Sequence, residues 1–184
     1  MAEYYLISQL PSLDAIGEST PMPITEESFL ELCSRFLGKK ALRELENLTL
    51  LPSINAEKSA SGLIENWNAA ERDLRLALCK ARSDKMNKPF DLQNKALPVQ
   101  LLKVAGAAVE IDSPLEAEKF LSDYRLSVLE ELRPMDTFSE DFIFYYGLKL
   151  KLLLRIRQFE TKLGEAEYRN IYNSILNGER LEAL

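Results

Sequence analysis

Ser139-Glu140-Asp141-Phe142-Ile143-Phe144-Tyr145-Tyr146-Gly147-Leu148-Lys149-Leu150-Lys151-Leu152-Leu153-Leu154-Arg155-Ile156-Arg157-Gln158-Phe159-Glu160-Thr161-Lys162-Leu163 is the stretch that decides the fold. Its apolar residues recur at steps of three and four, so the spacing predicts one long helix over 139–163 that stops at Gly164. At 100° per residue, Tyr145, Leu148, Leu152, Ile156, Phe159 and Leu163 share one arc. Ile143, Tyr146, Leu150, Leu153 and Leu154 occupy a second arc on roughly the opposite side, and Lys151, Arg155 and Lys162 form a polar strip beside the first. A helix with two apolar arcs is either the centre of a bundle or lends one arc to another protein. If the second arc is exposed, Ile143, Tyr146, Leu150 and Leu154 are its protein-contact residues. Phe138 and Ile143 are spaced to form a hydrophobic staple across the start of the helix.

The same period continues outward. Ser113-Pro114-Leu115-Glu116 has a serine cap, a proline at the first helical position and a glutamate at the third, the pattern of a capping box. The helix it opens presents Ala117, Phe120, Leu121, Tyr124, Val128 and Leu132 before Pro134 ends it. A shorter helix is predicted over 99–109. A long one over 61–86 carries the stripe Leu63, Trp67, Ala70, Leu74, Leu78 and Ala81, with Glu71 and Arg75 paired on its other side. Trp67 reads as a core anchor.

Thr25 caps a helix carrying Phe29, Leu32, Cys33, Phe36 and Leu37, with Gly38 as its stop, and a second short helix carries Leu42, Leu45 and Leu48. Residues 4–13 are apolar but too short for the period to separate helix from strand. A last helix shows Tyr168, Ile171, Tyr172, Ile175 and Leu176 ahead of Gly178. The expectation is an all-α bundle of about six to seven helices, long and antiparallel with short loops. It forms a single domain over 1–184, with an N-terminal segment of two short helices (1–60) and a main bundle (61–184).

Composition narrows the chemistry. The chain of 184 residues has 46% hydrophobic and 28% charged residues, enough for a core and a solvated surface. Its net charge of −6 repels phosphate backbones, so no nucleic-acid partner is expected. No apolar stretch reaches the roughly 20 residues a bilayer span needs, and Met1-Ala2-Glu3-Tyr4-Tyr5 lacks the features of a secretory signal. A cytoplasmic protein with no direct membrane insertion is expected.

The chain has no histidine, which removes Ser-His-Asp and Cys-His triads and His-ligated zinc. Its two cysteines are too few for a disulfide framework or a four-thiolate zinc site, and Cys33 lies on an apolar helical face. The seven glycines form no phosphate loop. Glu26-Glu27 and Glu130-Glu131 are adjacent pairs that diverge on a helix. No catalytic residue, cofactor or metal is expected; an enzyme built on carboxylates and lysines would need a deep pocket where they converge. The run Arg72, Arg75, Lys80, Arg82, Lys85 and Lys88 is locally basic, interleaved with Glu71, Asp73 and Asp84 and without aromatics after Trp67. It is either a solvated face or a docking surface for an acidic partner.

Three groups of residues carry a family likeness. They are Tyr4-Tyr5-Leu6-Ile7-Ser8-Gln9-Leu10-Pro11 with Phe29-Leu30-Glu31-Leu32-Cys33; Trp67 with Glu71-Arg72-Asp73-Leu74-Arg75 and Ala81-Arg82; and Pro114-Leu115-Glu116-Ala117-Glu118-Lys119-Phe120-Leu121 followed by Tyr146-Gly147-Leu148-Lys149-Leu150 and Arg155. In this order they resemble a bacterial family of unassigned function encoded with the subunits of a V-type (A/V-type) ATPase. A weaker similarity, over 148–167, is to the all-helical, funnel-shaped component of that ATPase seated between its rotor ring and its central shaft. The resemblance implies a non-enzymatic helical accessory or structural subunit that docks on protein subunits of the ATPase, reaching the membrane's inner face only through them and so serving ion transport. It also implies longer relatives, so the chain reads as a fragment ending at Glu179-Arg180-Leu181-Glu182-Ala183-Leu184. The alternative is a free-standing helical adaptor that associates with itself as a homo-oligomer.

Overall fold

Four helices of this chain begin where a hydroxyl side chain accepts from the first orphan amides. In a computed structural model, which describes residues 2–14, 16, 20–52, 59, 61–90, 92, 95–158, 168–169 and 171–175, Thr25, Ser61, Ser113 and Ser139 all do so. They open α2 (Glu26–Ser34), α4 (Gly62–Lys85), α6 (Pro114–Glu131) and α7 (Glu140–Arg157). The others are α1 (Ala2–Gln9), α3 (Lys39–Glu46) and α5 (Val99–Glu110). Residues 171–175 are helical too, and no strand occurs among the described residues. The fold is all-α. Residues 4–9, ambiguous by period, lie in a helix. The helix expected over 139–163 ends at Arg157, with Gln158 as its C-cap, and the expected stops at Gly164 and Gly178 lie outside the described residues.

Gly38 is not the stop of α2. That helix ends at Ser34, with Arg35 as its C-cap, and Gly38 stands in extended backbone (φ −64°, ψ 152°) as the N-cap of α3. The glycine that matters for packing is Gly147. A Cβ there would stand 3.2 Å from side-chain atoms of Leu45 and Leu48 and 3.3 Å from the Phe29 ring. A glycine inside a helix costs about 1 kcal/mol relative to alanine; here it lets α2 and α3 close onto α7.

Polar contacts between helices fix the directions. Tyr145 Oη donates to Glu130 (2.7 Å) and Arg155 Nη2 to Glu118 (2.8 Å), so α6 and α7 run antiparallel. Ser61 Oγ donates to Asp141 (2.6 Å), placing the start of α4 at the start of α7. The pair α4–α5 departs from the antiparallel, short-loop pattern. Lys95 bonds Asp73, while Lys85 Nζ donates to the Val109 carbonyl (2.6 Å). Lys95, just before α5, therefore lies back beside the middle of α4, and α5 then follows α4 in the same direction. Asn87 makes the reversal in the left-handed region (φ 52°), where asparagine is tolerated.

Two apolar clusters result. Leu74, Ala77 and Leu78 of α4 meet Leu101, Ala105 and Ala108 of α5 and Leu121 of α6. The larger cluster surrounds α7: Leu6, Leu13, Phe29, Cys33, Ala41, Leu45 and Leu48 come from the N-terminal third, and Leu63, Ile64, Trp67 and Leu129 from α4 and α6. Residues 143–150 of α7 are all buried. Over residues 143–152 both arcs are thus covered by the chain itself, while Phe159 and Leu163 of the first arc lie outside the described residues.

Candidate docking surfaces

The second arc of α7 is the first place to test for an exposed contact surface. Ile143 is 1% exposed, Tyr146 5% and Leu150 0%, while Leu154 is partly buried against the same cluster. The Tyr146 ring lies 5.2 Å from that of Phe29, and its hydroxyl donates to the Pro11 carbonyl (2.8 Å). These four residues do not form a protein-contact surface; α2, α3 and the segment after α1 occupy it. The physical reason is the number of short apolar elements in residues 1–50, each too small to bury its own face and all satisfied by α7.

Lys149 is buried at the same helix level, and there the fold gathers its charges. Its ammonium donates to Asp14 (2.6 Å), Glu130 (2.6 Å) and the Tyr145 hydroxyl (3.3 Å). Burial alone would lower the Lys149 pKa, yet its hydrogen bonds to Asp14, Glu130 and Tyr145 hold it above the ordinary lysine range. Burial, reinforced by the bond to Glu130, pushes the Tyr145 phenol up to about 12. A lysine held protonated and a phenol held neutral supply neither a base nor a nucleophile near neutral pH. The cluster ties the N-terminal segment to α6 and α7.

Its pH dependence has a definite sign. The Lys149 hydrogen bond depresses the Asp14 carboxyl below its ordinary 3.8; burial works against the same effect at Glu130, which is still held below 4.5. Carboxyls depressed by folding contribute stability above their unfolded values and lose it as pH falls through their folded ones. Lys149, raised above 10.5, contributes fully below that value and loses its share only in stronger alkali. Stability should therefore be flat with respect to this cluster from about pH 5 to 10 and decline below about pH 4. The decline should be modest, below about 1 kcal/mol, because the side chains of Asp14 and Glu130 are 59% and 42% exposed. Urea unfolding of the native chain and of Lys149→Met between pH 6 and 3 checks this: the variant should have the flatter acid limb.

A second buried charge departs from what helical spacing alone predicts. Glu71 forms the expected pair with Arg75 (3.0 Å), but it is 3% exposed. Arg125 of α6 reaches it through Nε (3.0 Å) and Nη2 (3.2 Å), and Glu118 links Arg125 to Arg155. Trp67, Ala70, Glu71, Leu74, Tyr124, Arg125 and Val128 line a cleft beside it of about 10 Å³, room for about one water. The Trp67 Nε1 atom is buried without a hydrogen-bond partner. A cleft of this size holds no substrate.

Apolar exposure collects elsewhere. The Phe138 ring does not retire beneath α7 to staple Ile143; it lies 4.9 Å from the Tyr4 ring and stays 47% exposed. Tyr4 (55%) meets Tyr5 (59%) edge-on at 6.1 Å, and Met135, three residues before Phe138, is fully exposed. Beneath them Arg133 lies over the Phe142 and Tyr145 rings, 5.9 and 5.7 Å from the centroids. Two tyrosines, a phenylalanine, a methionine and an arginine have the composition of an interface core. Sequence spacing could not find this patch, because α1 and the α6–α7 turn lie more than about 120 residues apart. Tyr168, Ile171, Tyr172 and Ile175, predicted on one helical face, are all exposed.

Among the described residues no group of acidic or cysteine side chains could hold a metal ion, and no helix is long and apolar enough to cross a membrane. Cys33 is buried, its thiol pushed up to about 12, and Cys79 is exposed. No family model, curated protein or solved structure matches the chain.

Proposed function

We propose that this chain is a non-enzymatic helical scaffold that works by docking on other proteins, with the subunits of a V-type ATPase as the partner class to which the sequence resemblance points. The single observation that supports a docking role most is the patch of Tyr4, Tyr5 and Phe138, contiguous rings left in water with Met135 exposed three residues before Phe138, on a chain that buries residues 143–150 of α7 completely enough to leave no apolar face there. The charged groups inside the fold favour the same reading. Lys149 and Glu71 are held by partners of the fold itself, which leaves them to position helices instead of reacting.

The test is a comparison of tagged proteins recovered from the chain's own cells. The native protein should bring down V-type ATPase subunits in fixed proportion. Tyr4→Ala with Phe138→Ala should retain its circular dichroism and melting temperature, since both rings are about half-exposed, yet capture at least about tenfold less. Recovery of copies of this chain alone would move the proposal to self-association; equal capture by the double variant would remove the patch from it.

A further inference from the structure

One face of α4 lies outside the two apolar clusters and the aromatic patch, and meets the buried charges only through Arg75, which pairs with Glu71 (3.0 Å). Arg72, Arg75, Cys79, Arg82 and Met86 follow one another at steps of three and four, so they fall within about 80° of arc along about 21 Å of helix. All five are exposed. From residue 68 to 86 no acidic side chain shares the arc: Glu71, just beyond its edge, is buried and held by Arg125 and by Arg75 of the stripe itself, while Asp73 is engaged by Lys95 and Asp84 by Lys80. The surroundings reinforce the sign, since residues 72–103 contain eight lysines and arginines against three aspartates, in a chain whose net charge is −6.

We propose that this stripe docks an acidic α-helix of a partner protein, laid along α4 with carboxylates at matching steps of three and four. Guanidinium groups bind carboxylates in a planar, two-pronged manner, and a rigid helix holds them at fixed separations, so the stripe selects a spacing of charge and not merely a sign. The width of one helix suits a helical partner, and Met86 offers an apolar contact at one end. A single strand of nucleic acid would want aromatic rings among the cations, and none stands on the stripe. An anionic membrane would want several apolar side chains to insert, and Met86 is alone. The surface is separate from the Tyr4–Phe138 patch, so the two can fail independently.

Cys79 sits in the middle of the stripe and makes the test direct. A maleimide dye will label it selectively, because Cys33 is buried and its thiol is pushed up to about 12. The labelled protein is titrated with four probes: a capped helical peptide bearing glutamates at the matching positions, a scrambled peptide of equal composition, phosphatidylserine vesicles and a single-stranded oligonucleotide. The matched peptide should give a saturable response that weakens with salt, at least about tenfold tighter than the scrambled one. Arg72→Glu with Arg82→Glu should weaken it by at least about tenfold while the melting temperature holds. Iodoacetamide should alkylate unlabelled Cys79 more slowly once the peptide is bound, a readout free of the dye. Absence of saturable binding, equal binding by the scrambled peptide or by the charge-reversed variant, or tighter binding by vesicles or oligonucleotide would each overturn the proposal.

Discussion

The Leu150→Asp variant is expected to lose cooperative folding altogether. Leu150 is 0% exposed, inside a cluster that joins residues of the N-terminal third to α4, α6 and α7. Removing its side chain alone costs about 2–5 kcal/mol, the range for buried leucine truncations. A carboxylate in its place adds a desolvation penalty of several kcal/mol, because no cation partners the position. Together these reach the lower half of the roughly 5–15 kcal/mol by which a domain of ordinary stability is folded. Circular dichroism should show helix content falling sharply at 25 °C without a melting transition. Leu150→Met, which conserves volume, should stay within about 1.5 kcal/mol of the native chain. If Leu150→Asp kept its helices and its melting temperature, the second arc would have to face water after all.

Glu71→Gln is the second large effect, and it separates a buried charge from a surface one. The side chain of Glu71 is 2% exposed and that of Arg125 12%, so neutralising the carboxylate leaves a guanidinium out of water with only Glu118, at 3.5 Å, still facing it. Breaking a buried pair from one side costs about 3–5 kcal/mol. Joint replacement, Glu71→Met with Arg125→Met, removes both desolvation penalties and should recover most of that loss. Chemical denaturation of Glu71→Met, Arg125→Met and the double variant reads this as a coupling energy. Were the pair an ordinary exposed i,i+4 contact, Glu71→Gln would cost no more than about 0.5 kcal/mol.

Much of the fold could be read from the order of residues, because helix formation is local. Thr25, Ser113 and Ser139 announce their helices through side-chain chemistry within one turn, and the apolar period of α4, α6 and α7 extends over enough residues to exclude a strand. The chain direction of α5 could not be read the same way. It depends on Lys95 finding Asp73 and Lys85 finding the Val109 carbonyl, contacts that no period encodes. The candidate site was less legible still. Counting residues around α7 finds two apolar arcs, but whether the second is covered depends on what residues 1–50 do. Glu71 looks like half of a surface pair until Arg125 arrives from 54 residues away. Phe138 has the spacing of a staple and is drawn off by Tyr4. In each case local pattern predicted the element, and a distant partner decided its face.

The proposed docking role requires that α7 be sealed within the chain while contacts with other proteins form at the Tyr4–Phe138 surface. Hydrogen–deuterium exchange on the free protein, and on the complex recovered from its own cells, addresses that directly. Amides of residues 143–152 should be strongly protected in both states, and binding should slow exchange around residues 4–9 and in the turn before α7. Weak protection of 143–152 in the free protein, rising only when a partner is bound, would contradict it.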